Sequence, residues 1–349
     1  MALCLAFLTT LSPPAEASGL KAIWGPVRRD GVSQFPIYRD LRVGIYETPL
    51  GWDEVAPTRP RHPRDPRDPA YRWPPELADA VGQARAYKMR VLIMIIRTPR
   101  WANGNRPSTW APLRVGDYAD FAFAAARRYP SVHLWMVWDE PSRANNFAPL
   151  TPAPATATRL TSRQAAAPRR YARILDATYG ALKRVSRANM VVGGNTYTTG
   201  DIRTGQWVRY MRLPNGRPPR LDLYGHNPFS FRRPNLRNPP VDGAIDFSDL
   251  ARLGTLVDRN LRRPGSPRLR LFLSEWTIPT TAPDNEFNFY TDLGTQADWI
   301  RAAFGIVRRW SRIYALGWIH LYDDPPTTRG GLIDDQGRRK PGYAAFRAG

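Results

Sequence analysis

Two glutamates stand where carboxylates could cooperate on one bond. Glu140 lies in Trp138-Asp139-Glu140-Pro141, and Glu275 in Ser274-Glu275-Trp276. Each closely follows a short, almost wholly apolar run, His133–Trp138 before the first and Leu269–Leu273 before the second. Runs of that length and composition read as buried strands. A carboxyl group at the carboxyl end of each of two buried parallel strands is suited to attack on a glycosidic bond: one group protonates the departing oxygen and the other meets the anomeric carbon. Of the other reactive residue types, Cys4 is the single cysteine, so a disulfide framework is excluded. His62, His133, His226 and His320 show no metal-ligand spacing, and neither a metal nor a cofactor is expected.

The elements that must hold these residues are legible as eight apolar strand candidates: 20–24, 41–46, 91–96, 133–138, 190–192, 221–225, 269–275 and 314–321. Helical patterns fall between most of them. Tyr118, Phe121, Ala122, Ala125, Ala126 and Tyr129 recur on one face at 3.6-residue spacing, as do Ile300, Ala303, Phe304 and Val307. Strand–helix alternation repeated eight times predicts an α/β fold, a single (β/α)8 TIM barrel. Its strand-to-helix loops are long (57–75, 141–168, 228–247 and 278–296), whereas helix-to-strand turns are short. In such a barrel the long loops build the site.

Residues 1–17 read as a secretory leader: Ala2–Leu11 is mostly apolar and Ala15-Glu16-Ala17 supplies a small-residue cleavage site. The expected arrangement is therefore a leader over 1–17, a catalytic domain over 18–349, and a secreted or cell-wall-associated monomer without a membrane span. The 51 basic against 30 acidic residues give a net charge of +21, almost all from arginine. Such a field attracts anionic polymers such as acidic cell-wall glycans; the arginines are spread along the chain and no nucleic-acid-binding motif is present.

The sequence resembles the clan A retaining glycoside hydrolases, most nearly families 39 and 5. Trp-x-Glu-Pro ends strand four and a second glutamate ends strand seven. Thr98-Pro-Arg-Trp101-Ala resembles the turn after strand three in that group, and 330–346 resembles its last loop and helix. The resemblance implies Glu140 as acid/base, Glu275 as nucleophile, Trp318 as the platform under the cleaved sugar, and His226 in the same cleft. Asp139 stands where the group usually has an asparagine for the sugar 2-hydroxyl. Tyr46-Glu47-Thr48 stands where a strand-two arginine is usual, and no tyrosine lies two residues past His226. Asn195, Trp101, Tyr46 and Glu47 complete the expected carbohydrate-binding set. A barrel that binds sugar without cleaving it is the alternative these departures leave open.

Overall fold

The structure, a computed structural model, describes residues 19–349; the leader expected over 1–17 lies outside the described residues. Eight parallel strands close into a barrel: β1 (Leu20–Trp24), β2 (Ile45–Gly51), β3 (Arg90–Ile96), β4 (Leu134–Val137), β5 (Met190–Tyr197), β6 (Leu223–Asn227), β7 (Arg270–Leu273) and β8 (Ile313–Trp318). Each pairs with its chain neighbour and β8 pairs with β1. This is the (β/α)8 TIM barrel expected. The helices wrap its outside, and the two read from periodicity are Val115–Arg128 and Leu293–Arg309.

Alternation along the strands makes two cores. Ala22, Ile45, Leu92, Met94, Leu134 and Met136 are among the side chains that fill the barrel. Their neighbours Ile23, Tyr46, Ile93, Ile95, Trp135 and Val137 pack outward against the helices. At the amino-terminal end of the barrel Tyr314 acts as a plug: its hydroxyl accepts from Arg90 at 2.6 Å, and the Arg270 guanidinium lies 5.1 Å from its ring.

The two strands that differ most from their expected limits do so for physical reasons. The segment 41–44 is no strand, because Leu41 caps the short helix Phe35–Asp40 and Arg42 turns the chain at φ 60°. β2 instead runs on to Gly51 through Pro49. That proline costs no ladder bond: pairing with β1 stops at Glu47, and beyond it only β3 lies alongside. β5 extends past Val192 through a bulge at Gly193–Thr196, where Gly194 adopts φ 98° with the Tyr224 ring against its backbone.

Candidate active site

The carboxyl ends of the strands carry an unusual density of left-handed backbone. Arg97 after β3, Trp138 and Glu140 after β4, Asn195 in β5 and His320 after β8 all have φ between 37° and 73°. Non-glycine residues pay for this conformation, and it gathers where geometry is imposed by function. At Trp138 it breaks strand alternation: the ring turns outward against Tyr118 and Phe147. The two acidic residues that follow stay at the barrel mouth.

There Asp139, Glu140 and Glu275 converge. A carboxylate oxygen of each lies within 4.8 Å of one from each of the others. Among the described residues this is also the group spaced to hold a cation, although Arg143 already supplies positive charge at Glu140. Glu140 is buried, with Oε2 accepting from Arg143 at 2.6 Å and from Asn146 at 3.3 Å. Its Oε1 accepts from the Asn227 amide at 3.0 Å, while Asn227 Oδ1 accepts the backbone N–H of Glu275 at 3.2 Å. One asparagine at the end of β6 thus fixes both glutamates. Asp139 accepts from Asn195 at 2.8 Å, so the β5 bulge serves to orient it. The carboxylate of Glu275 accepts no hydrogen bond from the described residues.

Behind the pair, Trp24 donates to Ser274 at 3.3 Å and Ser274 donates to Glu47 at 2.7 Å. Glu47 is 1 % exposed, and its second oxygen has no partner. The backbone of β8 passes so close that a methyl on Gly317 would sit 2.0 Å from the Ser274 carbonyl and 2.5 Å from Glu47. Gly317→Ala is therefore expected to destabilise the fold by about 1–3 kcal/mol and to displace Glu275, since neither buried neighbour can retreat. Thermal unfolding together with turnover would check it; an unchanged melting temperature would refute the packing argument.

Three buried acids and the half-buried Asp139 share one close guanidinium, and their protonation reflects it. Burial pushes Glu275 well above the usual carboxylate range, with the charges of Asp139, Glu140 and Glu47 adding to it. Burial likewise raises Asp139, seconded by Glu140, and raises Glu47. Glu140 is also raised by burial, but the Arg143 charge and its hydrogen bonds oppose the rise. Tyr197, with Arg143 stacked 4.5 Å over its ring, is raised by burial and then by Glu140.

Sequence reasoning placed several residues wrongly. Trp318 is no platform: it packs edge-on to Trp276 at 5.5 Å, faces Phe346 in the outer layer, and donates its N–H to the Gly330 carbonyl. The half-buried Trp24 is the tryptophan that packs on the barrel interior. His226 is wholly buried, with Nδ1 against Thr196 at 2.9 Å and Nε2 against the Ile245 carbonyl at 2.8 Å. Desolvation lowers it to about 4, which makes it a satisfied neutral core histidine. Tyr46 faces the helices, packs on Phe35 and Tyr38, and donates to the Gly25 carbonyl at 2.8 Å. Trp101 lies among the loops, donating to Ala56 and edge-on to Trp52 at 5.5 Å. Glu47 and Asn195 do reach the site, as supports of Ser274 and Asp139. Arg143, Asn146 and Asn227 were missed; a polar residue ending an apolar strand was the available signal for Asn227 alone.

This architecture has known counterparts. Its fold is shared with family 39 glycoside hydrolases. A family 39 glycoside hydrolase from the gut symbiont Bacteroides cellulosilyticus superposes with a TM-score of 0.65 at 16 % identity, over 95 % of this chain and 64 % of that one. A glucosidase from Croceicoccus marinus gives 0.66 at 18 %, over 95 % and 65 %. A monomeric beta-xylosidase from Caulobacter crescentus gives 0.62 at 15 %, over 96 % and 68 %. The chain thus spans just under two thirds of the length of the first two. No protein-family model matches the sequence, nor does any curated protein. Likeness at this level of identity is one of fold, and the chemistry has to be argued from the site.

Proposed function

We propose that the protein is a secreted glycoside hydrolase that cleaves O-glycosidic bonds of an extracellular polysaccharide or oligosaccharide with retention of configuration. The observation that carries this reading is the approach of Glu140 and Glu275 to within 4.8 Å, oxygen to oxygen, at the mouth of the barrel. Retaining enzymes hold their carboxyl groups about 5–5.5 Å apart, whereas inverting ones need roughly 6.5–9.5 Å to admit a water. The solved structures that share the fold include a glucosidase and a beta-xylosidase, which favours the same class of substrate.

In this mechanism Glu275 attacks the anomeric carbon as Glu140 gives its proton to the leaving oxygen; Glu140 then takes a proton from the water that releases the sugar. Asn227 holds the two groups in register. Glu275 keeps its oxygens free of protein donors, as an attacking group should. Charge in the site runs against this assignment: Arg143 favours ionised Glu140, and burial without donors favours protonated Glu275. A proton must therefore sit on Glu140 and a charge on Glu275 once sugar is bound. Displacement of the one-third-exposed Arg143 side chain by the substrate would favour this exchange, by removing the cation that keeps Glu140 ionised.

Two pH effects follow. Arg143→Gln removes the cation that favours ionised Glu140, so Glu140 stays protonated to higher pH. The basic limb of kcat/KM should move up. Asp139→Asn removes a negative neighbour, so Glu275 ionises at lower pH and the acidic limb should move down. Limbs that stay in place in both variants would contradict the assignment.

Hydrolysis of a panel of aryl glycosides and neutral and acidic polysaccharides tests the function itself. Cleavage of at least one, lost in Glu140→Gln/Glu275→Gln, is expected. Binding of sugar without cleavage of any would favour a carbohydrate-binding barrel instead.

A further inference from the structure

The helix Ala166–Val185 follows the same long loop that carries Glu140, and its first two turns present Arg169, Arg170 and Arg173. Arg212 approaches from the segment after the helix Thr204–Tyr210. With Pro149 and Ser162 they line a cleft of about 660 Å³, a volume suited to a small ligand or a short stretch of polymer. No carboxylate lines it. Arg170 donates to the Pro112 carbonyl at 3.3 Å, and Arg212 to the Met211 carbonyl at 3.0 Å and to Asn260 at 3.3 Å. Those bonds position guanidinium groups without neutralising them. Elsewhere arginines of the same region are matched, as Arg220 is by Asp176 at 2.8 Å. Burial depresses both Arg170 and Arg212, and the Arg173 charge adds to the effect at Arg170, a repulsion that an anion would relieve.

We propose that this cleft is an accessory anion-binding site that takes the phosphate or sulfate groups of an acidic polysaccharide. Four arginines lining one cleft offer planar guanidinium groups, which suit the oxygens of such a group. The remaining walls favour sugar over nucleic acid: Pro149, Leu213 and Pro214 offer apolar surface but no aromatic ring on which a base could stack. A role in holding a charged polymer for cleavage rests on the glycosidase reading.

Dextran sulfate and unmodified dextran, titrated at 150 mM salt against the full chain by calorimetry, test the site. Dextran sulfate should bind and dextran should not. The double variant Arg169→Gln/Arg173→Gln, at exposed positions, should weaken binding roughly tenfold or more. Arg85→Gln/Arg252→Gln, which removes equal charge from other helices, should change it less than about threefold. Hydrolysis of a small neutral aryl glycoside should be the same in all three proteins. Equal losses in the two double variants, no binding by the parent, or a cleft-dependent loss seen only with a single-stranded oligodeoxynucleotide would overturn the proposal. The same binding pattern in a protein that hydrolyses nothing would leave the anion site standing and remove the hydrolase reading.

Discussion

Glu275→Ala should reduce turnover by roughly 10⁴-fold or more, because on the proposed mechanism the covalent step loses its attacking group. Asp139, the nearest other carboxylate, is held by Asn195 and follows β4 rather than β7. The alanine also leaves a small space just past the end of β7. Azide fits such a space and attacks from the face the carboxylate used. Added azide should therefore restore part of the rate and yield a glycosyl azide of inverted configuration. Recovery of that product identifies Glu275 as the nucleophile. A retained azide would assign the attacking role to Glu140, as the charge distribution of the site suggests when taken alone.

Glu140→Ala is the second large effect, and its size depends on the leaving group. General acid assistance contributes about 10²–10⁴-fold. A natural glycoside with a poorly departing alcohol should lose nearly all of this, whereas an activated dinitrophenyl glycoside needs little protonation to leave. For the activated substrate the first step should survive and the second should slow, since Glu140 also activates the water. Azide, which needs no base, should then rescue the rate and give a glycosyl azide of retained configuration. Equal losses on both kinds of substrate would mean that Glu140 binds rather than protonates. The variant also releases Arg143 and Asn227 from their shared partner, so comparison with Glu140→Gln separates loss of the acid from loss of the local hydrogen bonds.

The barrel and its two glutamates could be read from the chain because they rest on local patterns. Apolar runs ended by an acid identify strand ends, and the helix Val115–Arg128 shows its buried face at 3.6-residue spacing. What could not be read depends on parity and on distant contacts. Along β8, Tyr314 and Ala315 both pack inside the barrel at a register shift after Ile313. That one-residue irregularity exchanges the faces of everything after it, so Gly317 looks in and Trp318 looks out. Unbroken alternation from Tyr314 would have aimed Trp318 inward, the placement the resemblance implies. Tyr46 and Glu47 are adjacent and necessarily face opposite ways, so only one of them could join the site. Arg143 and Asn146 lie on a loop whose path nothing local dictates, and their value comes only from folding back onto Glu140. His226 carries no signal in sequence that Thr196 and Ile245 will occupy both its nitrogens.

The most direct test of the central claim is the anomeric configuration of the first-formed product, followed by proton NMR during hydrolysis of the best substrate in the panel. Carboxylate oxygens within 4.8 Å of each other favour the closer, retaining arrangement over one that admits a water, so the initial product should carry the configuration of the substrate. An initial product of the opposite configuration would show that water attacks directly, and the assignment of Glu275 as a covalent nucleophile would fall.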